Sequence, residues 1–220
     1  MLEKLPEALG HALRNTRAGL DAIAFHQVDL RQGMNAISVR SVAFVDHGPL
    51  PVDATADGDG ISPPIEWIGV PEGAHSVVVM VEDADAPTPH PLVHAIVVDL
   101  ATTTVALEEG ALKSPDHEGD DALHAGRNSF LQAGWLPPDP PPGHGVHRYA
   151  FQVFALAEGP RFDSGTPGRE AVLSALRDRA IASGLLIGTY ERPDTSIRSE
   201  AGEAEARHVD SPLGVPLAGA

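Results

Sequence analysis

The segment Ser76-Val77-Val78-Val79-Met80-Val81 constrains the fold more than any other part of the chain. Its apolar residues do not alternate with polar ones, so both faces of the strand that they form should be buried. Such a strand lies in the middle of a sheet that is covered on each side. The sequence therefore predicts a layered β-protein organised around this segment.

The abundance of turn-forming residues supports an all-β class. The 220 residues include 22 Gly and 20 Pro, which favours many turns and argues against a helical bundle. Further strands are predicted within residues 36–45, 94–100, 148–156 and 185–190, the third from the alternation of Tyr149, Phe151 and Val153. We expect a Greek-key antiparallel β-sandwich.

Two helices are expected beside the strands. Residues 1–20 carry leucines at three- and four-residue steps, and residues 169–184 carry an apolar stripe that ends at Gly184. The predicted domain organisation is a helical extension over residues 1–35, a sandwich domain over residues 36–192 and a flexible tail over residues 193–220. The polar, Pro- and Gly-rich composition after Arg192 indicates the tail.

Charge and composition exclude several classes of function. A net charge of −16 repels nucleic-acid phosphates and anionic membranes, although a local cationic site can still bind an anion. The chain has no Cys, hence no disulfide and no thiolate nucleophile or metal ligand. No signal peptide is recognisable, and no apolar run approaches the ~20 residues that a membrane span needs. We expect a cytoplasmic protein without a membrane span.

The segment Pro140 to Tyr149 is the strongest candidate for a functional loop. Three prolines make it stiff, Gly143 and Gly145 permit close backbone approach, and His147-Arg148-Tyr149 follows at the start of a strand. Because side chains alternate along a strand, His147 and Tyr149 should share one face. Arg148 should point to the other face and pair with a carboxylate.

Two further segments place polar side chains where a strand meets a loop. Asp83 and Asp85 follow the central strand, and His94 begins the next one. Four chemistries fit this set of residues: a metal site, a Ser-His-Asp hydrolase, paired carboxylates of the glycosidase type, and an anion pocket. Metal-ligand spacing such as His-x-His and a Gly-x-Ser-x-Gly elbow are both absent. The Gly-His-Gly loop favours the anion pocket, since its backbone N–H groups can form a donor nest.

The chain resembles the phosphatidylethanolamine-binding protein family, in particular its bacterial Raf-kinase-inhibitor-like branch. The resemblance rests on Asp57-Gly58-Asp59-Gly60-Ile61-Ser62-Pro63-Pro64-Ile65-Glu66-Trp67, Asp83-Ala84-Asp85-Ala86-Pro87, His94, the segment Pro140 to Tyr149, and Gly188-Thr189-Tyr190-Glu191-Arg192. These pieces occur in family order over residues 36–192. Ala84 stands where the family has Pro, and Asp139 adds a carboxylate near the expected site.

The resemblance implies a β-sandwich with a small pocket for phosphate-like groups, including phospholipid head groups. The residues that it assigns to ligand binding are Asp83, Asp85, Ala86, Pro87, His94, Pro141, Gly143, Gly145, His147 and Tyr149. We expect a non-catalytic binding protein for a small anionic or phosphorylated ligand, with no cofactor, no metal and no nucleic-acid partner. Two alternatives remain open. One is a hydrolase or metal-assisted enzyme using the same His and Asp residues. The other is a protein-interaction module whose terminal helix and tail bind a partner or, as a homodimer, a second copy of the chain.

Overall fold

A computed structural model describes residues 7–28, 30, 36–162 and 165–192. The predicted tail over residues 193–220 lies outside them. The described helices are α1 (Glu7–Leu13), α2 (Ala24–Gln27) and α3 (Arg169–Arg179). The described strands are β1 (Ser38–Arg40), β2 (Gly48–Pro49), β3 (Ile65–Ile68), β4 (Ser76–Asp83), β5 (Leu92–Leu100), β6 (Ala106–Leu107), β7 (His124–Ala125), β8 (His147–Leu156) and β9 (Ala180–Tyr190).

The strands form two sheets that pack as a sandwich. The larger sheet has the order β2-β9-β8-β4-β5-β7, and the smaller one has the order β1-β3-β6. Strands β4, β5, β7 and β8 lie in the spatial order β8-β4-β5-β7, which is a Greek key. Pairing is antiparallel except between β2 and β9, which are parallel. The predicted all-β Greek-key sandwich is confirmed.

Strand β4 lies at the centre of the larger sheet, as its unbroken apolar run predicts. All of its residues are buried. Val77, Val79 and Val81 face the smaller sheet in the main core, whereas Val78 and Met80 face α2 and α3 in a second core. The large sheet is therefore covered on one side by a sheet and on the other by helices.

The end of α3 differs from the expected helix over residues 169–184. The helix ends at Arg179, and β9 begins at Ala180. Ala180 pairs with Leu156, and Gly184 pairs with Val153 of β8. A Cβ at Gly184 would lie 2.1 Å from the carbonyl oxygen of Ile37, so this glycine serves close strand packing rather than a helix stop. Pairing with β8 decides the conformation of these residues.

Helix α1 also differs from the amphipathic helix expected over residues 1–20. Its described part packs on the domain through Gly10, and Leu9 of the expected apolar stripe is 41 % exposed. A Cβ at Gly10 would lie 2.0 Å from the carbonyl oxygen of Pro142, so helix and loop approach backbone to backbone. The expected leucines at positions 2 and 5 lie outside the described residues.

Candidate functional site

The candidate site lies at one end of the larger sheet, where β4 ends and β8 begins. Asp83 is the last residue of β4, and it pairs across the sheet with Tyr149 of β8. His147 begins β8 and shares the face of Tyr149, because side chains alternate along a strand. Asp83, His147 and Tyr149 are all buried, at most 3 % exposed. The sheet therefore brings together two of the three segments that the sequence singled out.

A β-bulge brings the third segment to the same place. Val81 pairs with Ala95 and Glu82 pairs with Val93, so His94 is an extra residue on β5. The His94 ring lies edge-on to Tyr149 at a centroid distance of 5.1 Å. The bulge thus aims His94 at the site, which agrees with the frequent occurrence of bulges beside functional residues.

The hydrogen bond of His94 fixes its tautomer. Its Nδ1 lies 2.6 Å from the carbonyl oxygen of Leu136, which can only accept, so Nδ1 carries the hydrogen. Burial lowers the pKa of His94 and keeps the ring neutral. The other nitrogen, Nε2, therefore presents a lone pair to the site.

Two polar atoms at this site lack a hydrogen-bond partner within the part of the chain that the structure describes. They are Nε2 of His94 and the hydroxyl of Tyr149, and we call them the open polar atoms. Burial raises the pKa of Tyr149 well above its usual value, so the hydroxyl remains a donor. A buried polar atom without a partner is costly, and a bound ligand or water can supply the missing hydrogen bond. The described residues contain three more such atoms, Trp67 Nε1, Ser114 Oγ and Asn128 Nδ2, but only here do two of them lie in rings that contact each other.

A chain of four groups lies next to the open polar atoms. A carboxylate oxygen of Asp83 is 2.7 Å from Nδ1 of His147, and Nε2 of His147 is 2.7 Å from Nδ1 of His144. Nε2 of His144 is 2.9 Å from the carbonyl oxygen of Leu13, the last residue of α1. We call these groups the Asp83–His147–His144–Leu13 chain.

This chain contains one proton more than two neutral histidines carry. The Asp83 carboxylate and the Leu13 carbonyl only accept, so the two rings must supply hydrogens to three contacts. Two neutral imidazoles carry two N–H groups, so Asp83 and the two rings share a third hydrogen. Burial, together with the charge of His147, lowers the pKa of His144 and favours its neutral ring. Neutral His144 donates through Nε2–H to the Leu13 carbonyl, so its Nδ1 accepts from Nε2–H of His147.

Both nitrogens of His147 are thus engaged by groups of the protein itself. The family resemblance predicts that His147 contacts the ligand directly, but its Nε2–H points at His144. An anion can use this donor only if it replaces His144 as the acceptor. Direct binding through His147 stays a prediction.

The structure gives Asp85 a different environment from the expected one. Asp85 is fully buried and accepts hydrogen bonds from the Arg148 side chain at 2.7 Å, and Arg17 also forms an ion pair with it at 3.0 Å. Burial alone would raise the pKa of Asp85, but the two arginines outweigh burial and hold this pKa below its usual value. The predicted pairing of Arg148 with a carboxylate is present, and a part for Asp85 in ligand binding stays a prediction.

The remaining expected residues form the backbone frame of the site. Gly143 and Gly145 have φ angles of 77° and 96°, so glycine is required for the loop to turn there. The carbonyl oxygen of Pro141 accepts from His144 N–H at 3.2 Å, and that of Ala86 accepts from Ala18 N–H at 3.1 Å. Pro87 follows as a partly buried residue. The His144 N–H, one of the loop donors expected to face an anion, is therefore taken by the Pro141 carbonyl.

Three features of the site were not predicted from the sequence. His144 was quoted only as part of the Gly-His-Gly loop, although its position three residues before His147 placed it within reach. Leu13 and Arg17 carry no sequence signal, because their contacts depend on how the N-terminal segment packs. Arg192 neutralises the added carboxylate of Asp139, and it also binds Asp57 through two nitrogens.

The described residues contain no group of three or more His, Asp or Glu side chains arranged to hold a metal ion. They also contain no helix long and apolar enough to cross a bilayer.

Comparison with known proteins gives consistent matches over the sandwich. The family model described as phosphatidylethanolamine-binding protein matches residues 40–191. A UPF0098 protein of Aquifex aeolicus is 36 % identical over 157 residues, which cover 71 % of this chain and 89 % of that protein. A Mycobacterium tuberculosis protein named as a lipoprotein, LppC, is 30 % identical over 155 residues, 70 % of this chain and 72 % of that protein.

Solved structures give the same result. The homologue CT736 from Chlamydia trachomatis has a TM-score of 0.63 and 33 % identity, covering 72 % of this chain and 99 % of CT736. YbcL of Escherichia coli has a TM-score of 0.62 and 32 % identity, covering 71 % of this chain and 98 % of YbcL. Residues 7–28 lie outside the matched family model.

Proposed function

The chain belongs to the phosphatidylethanolamine-binding protein family, and from that premise we propose that its site binds a phosphate-like anion without turning it over. The open polar atoms support this proposal most directly. A phosphoryl oxygen accepts a hydrogen bond from the Tyr149 hydroxyl. Once His144 gives way, a second oxygen accepts from His147 Nε2–H. The ligand supplies the partners that the described residues do not.

The tautomer of His94 restricts the protonation state in which a phosphate can bind. Neutral His94 offers a lone pair at Nε2, which repels a fully ionised phosphate oxygen. Binding therefore needs one hydrogen at this position. Either the ligand brings a P–OH group, as a phosphate monoanion does, or His94 takes up a proton. We expect the affinity for phosphate to fall as the pH rises through the range in which phosphate and His94 lose that hydrogen.

Calorimetric titration tests both the binding of phosphate and its dependence on pH. Inorganic phosphate and phosphoethanolamine are titrated at about pH 6 and pH 8, in buffers of different ionisation enthalpy that report proton uptake. Tighter binding and proton uptake at the lower pH are expected. Vesicles with and without phosphatidylethanolamine form a separate arm. Binding only to vesicles that contain phosphatidylethanolamine would identify the ligand as a lipid head group. Binding to free phosphate would identify it as a soluble anion.

The variant Tyr149→Phe removes one open polar atom and little volume. A hydrogen bond to a charged group contributes about 1.5–3 kcal/mol, so phosphate should bind about 10- to 100-fold more weakly. Tyr190→Phe is the matched control, because Tyr190 donates to Asp57 instead of facing the open atoms. No heat of binding for any phosphate compound, or equal affinity in both variants, would contradict the proposal.

A further inference from the structure

The N-terminal segment from Gly10 to Gly19 lies across both loops that frame the site. We call this segment the strap. Ala18 N–H donates to the Ala86 carbonyl at 3.1 Å, and Gly19 N–H donates to the Ala84 carbonyl at 2.7 Å. These bonds attach the strap to the loop after β4.

The other loop is held by charged side chains of the strap. Arg17 donates to the carbonyl oxygens of Val146 at 2.7 Å and His144 at 3.1 Å, and Arg14 reaches the Gly143 carbonyl at 3.4 Å. Arg17 also pairs with the buried Asp85, which links it to the loop after β4. Arg17 thus ties the two loops together.

Hydrogen bonds also connect the strap to the site, through the Asp83–His147–His144–Leu13 chain. The Leu13 carbonyl of the strap accepts from His144, which in turn accepts the proton that His147 carries at Nε2. The Nε2–H of His147 is the donor that an incoming anion needs. A closed strap therefore keeps that donor occupied.

We propose that the strap is an autoinhibitory element that competes with the anion for His147, so that anion binding and strap release are coupled. This inference rests on the proposed function, because it describes the regulation of the same site. When the strap lifts, His144 loses its Leu13 and Arg17 contacts and turns away from His147. The anion then takes the place of His144 as the acceptor.

Thermodynamic linkage gives the proposal two matched consequences. If the strap and the anion compete, loosening the strap must tighten anion binding, and the anion must loosen the strap by the same factor. Couplings between sites are commonly fivefold or more. Anion affinity and strap mobility can be measured separately. Strap mobility with the anion bound can be compared with strap mobility in its absence.

The variant Gly10→Val loosens the strap without touching a residue of the site. Its side chain would collide with the Pro142 carbonyl, since even a Cβ would lie 2.0 Å from that oxygen. Ala12→Val is the matched control, because Ala12 is an exposed residue of the same helix. Both variants are made in the full chain.

Strap release is measured first by tryptic cleavage after Arg14 and Arg17, followed by mass spectrometry, with and without inorganic phosphate. We expect faster cleavage in Gly10→Val than in the wild type or Ala12→Val, and acceleration of wild-type cleavage by phosphate. Calorimetry should then show phosphate binding about fivefold tighter or more in Gly10→Val.

The outcomes separate the two proposals. Phosphate binding with unchanged or slower strap cleavage overturns the autoinhibitory strap and leaves the proposed function intact. Equal affinity in a Gly10→Val variant whose strap is cleaved faster does the same. Unchanged cleavage in Gly10→Val would mean that the close approach of Gly10 to Pro142 does not hold the strap in place. This outcome also overturns the autoinhibitory strap. Faster cleavage of that variant together with no phosphate binding in any protein refutes the proposed function, and the coupling with it.

Discussion

The two tyrosines of the chain differ in what their hydroxyl groups contact. The Tyr149 hydroxyl is buried with no hydrogen bond to any residue in the described ranges, whereas the hydroxyl of Tyr190 donates to Asp57. These two residues are the only tyrosines in the sequence. They therefore offer a direct comparison between a hydroxyl that we propose binds the ligand and one that hydrogen-bonds within the fold.

Stability measurements should separate the two tyrosines. Tyr149→Phe removes an unsatisfied buried donor, so the free energy of unfolding should stay the same or rise. Tyr190→Phe removes a hydrogen bond to a carboxylate and should lower that free energy by about 1.5–3 kcal/mol. Urea unfolding in phosphate-free buffer measures both. A marked loss of stability in Tyr149→Phe would mean that its hydroxyl has a structural partner.

At the scale of elements, a buried carboxylate joins the helices to the larger sheet. Glu82 of β4 is fully buried and accepts from Ala24 N–H at 2.6 Å, Gln152 at 2.9 Å and Arg169 at 2.6 Å. Arg169 also donates to the Ala22 carbonyl at 2.7 Å. One side chain thus fixes the start of α2 and the start of α3 against β4 and β8.

Glu82→Gln should destabilise the protein strongly. Removing one partner of a buried ion pair leaves the other charge uncompensated, which costs about 3–5 kcal/mol. Glu170→Gln is the control, because Glu170 contacts the same Arg169 at 3.5 Å but is exposed. That control should change stability by about 0.5 kcal/mol or less. Similar chemical-denaturation midpoints for the two variants would contradict the assigned role of Glu82.

Across the whole molecule, arginine–aspartate pairs anchor both ends of the described chain. Arg17 near the N-terminal end pairs with Asp85, and Arg192 at the C-terminal end pairs with Asp57 and Asp139. Burial raises the pKa values of Asp57 and Asp85, but hydrogen bonds from Arg192, Arg148 and Arg17 hold both pKa values below their usual range. Both carboxylates favour the folded state in their ionised form.

This arrangement predicts acid lability. Because the folded pKa values lie below the unfolded value of about 3.9, the stabilisation is complete above that value and is lost as the pH falls through the folded pKa values. Urea unfolding between about pH 6 and pH 3 should show falling stability. Asp85→Asn should be less stable at pH 6 and should lose less on acidification. An equal acid dependence in this variant would exclude Asp85 as a contributor.

The sequence alone determined the layers and the faces of the strands. Alternation along β8 placed Tyr149 with His147 and turned Arg148 away, and the unbroken apolar run of β4 placed that strand at the sheet centre. Both follow from the two-residue period of a strand, which is local. The family resemblance brought Asp83, His94 and the Gly-His-Gly loop into one site, and periodicity could not do so.

Only the tertiary structure decided what those residues contact. The end of α3, the bulge at His94 and the contacts of the strap depend on cross-strand pairing and on packing between segments far apart in sequence. Asp85 forms ion pairs with two arginines, and one of them, Arg17, lies 68 positions earlier in the sequence. Hydrogen-bond partners are set by position in space, and for buried groups the partner determines the protonation state. The sequence could therefore nominate His147 for the anion, whereas the fold shows that His144 already occupies its Nε2–H.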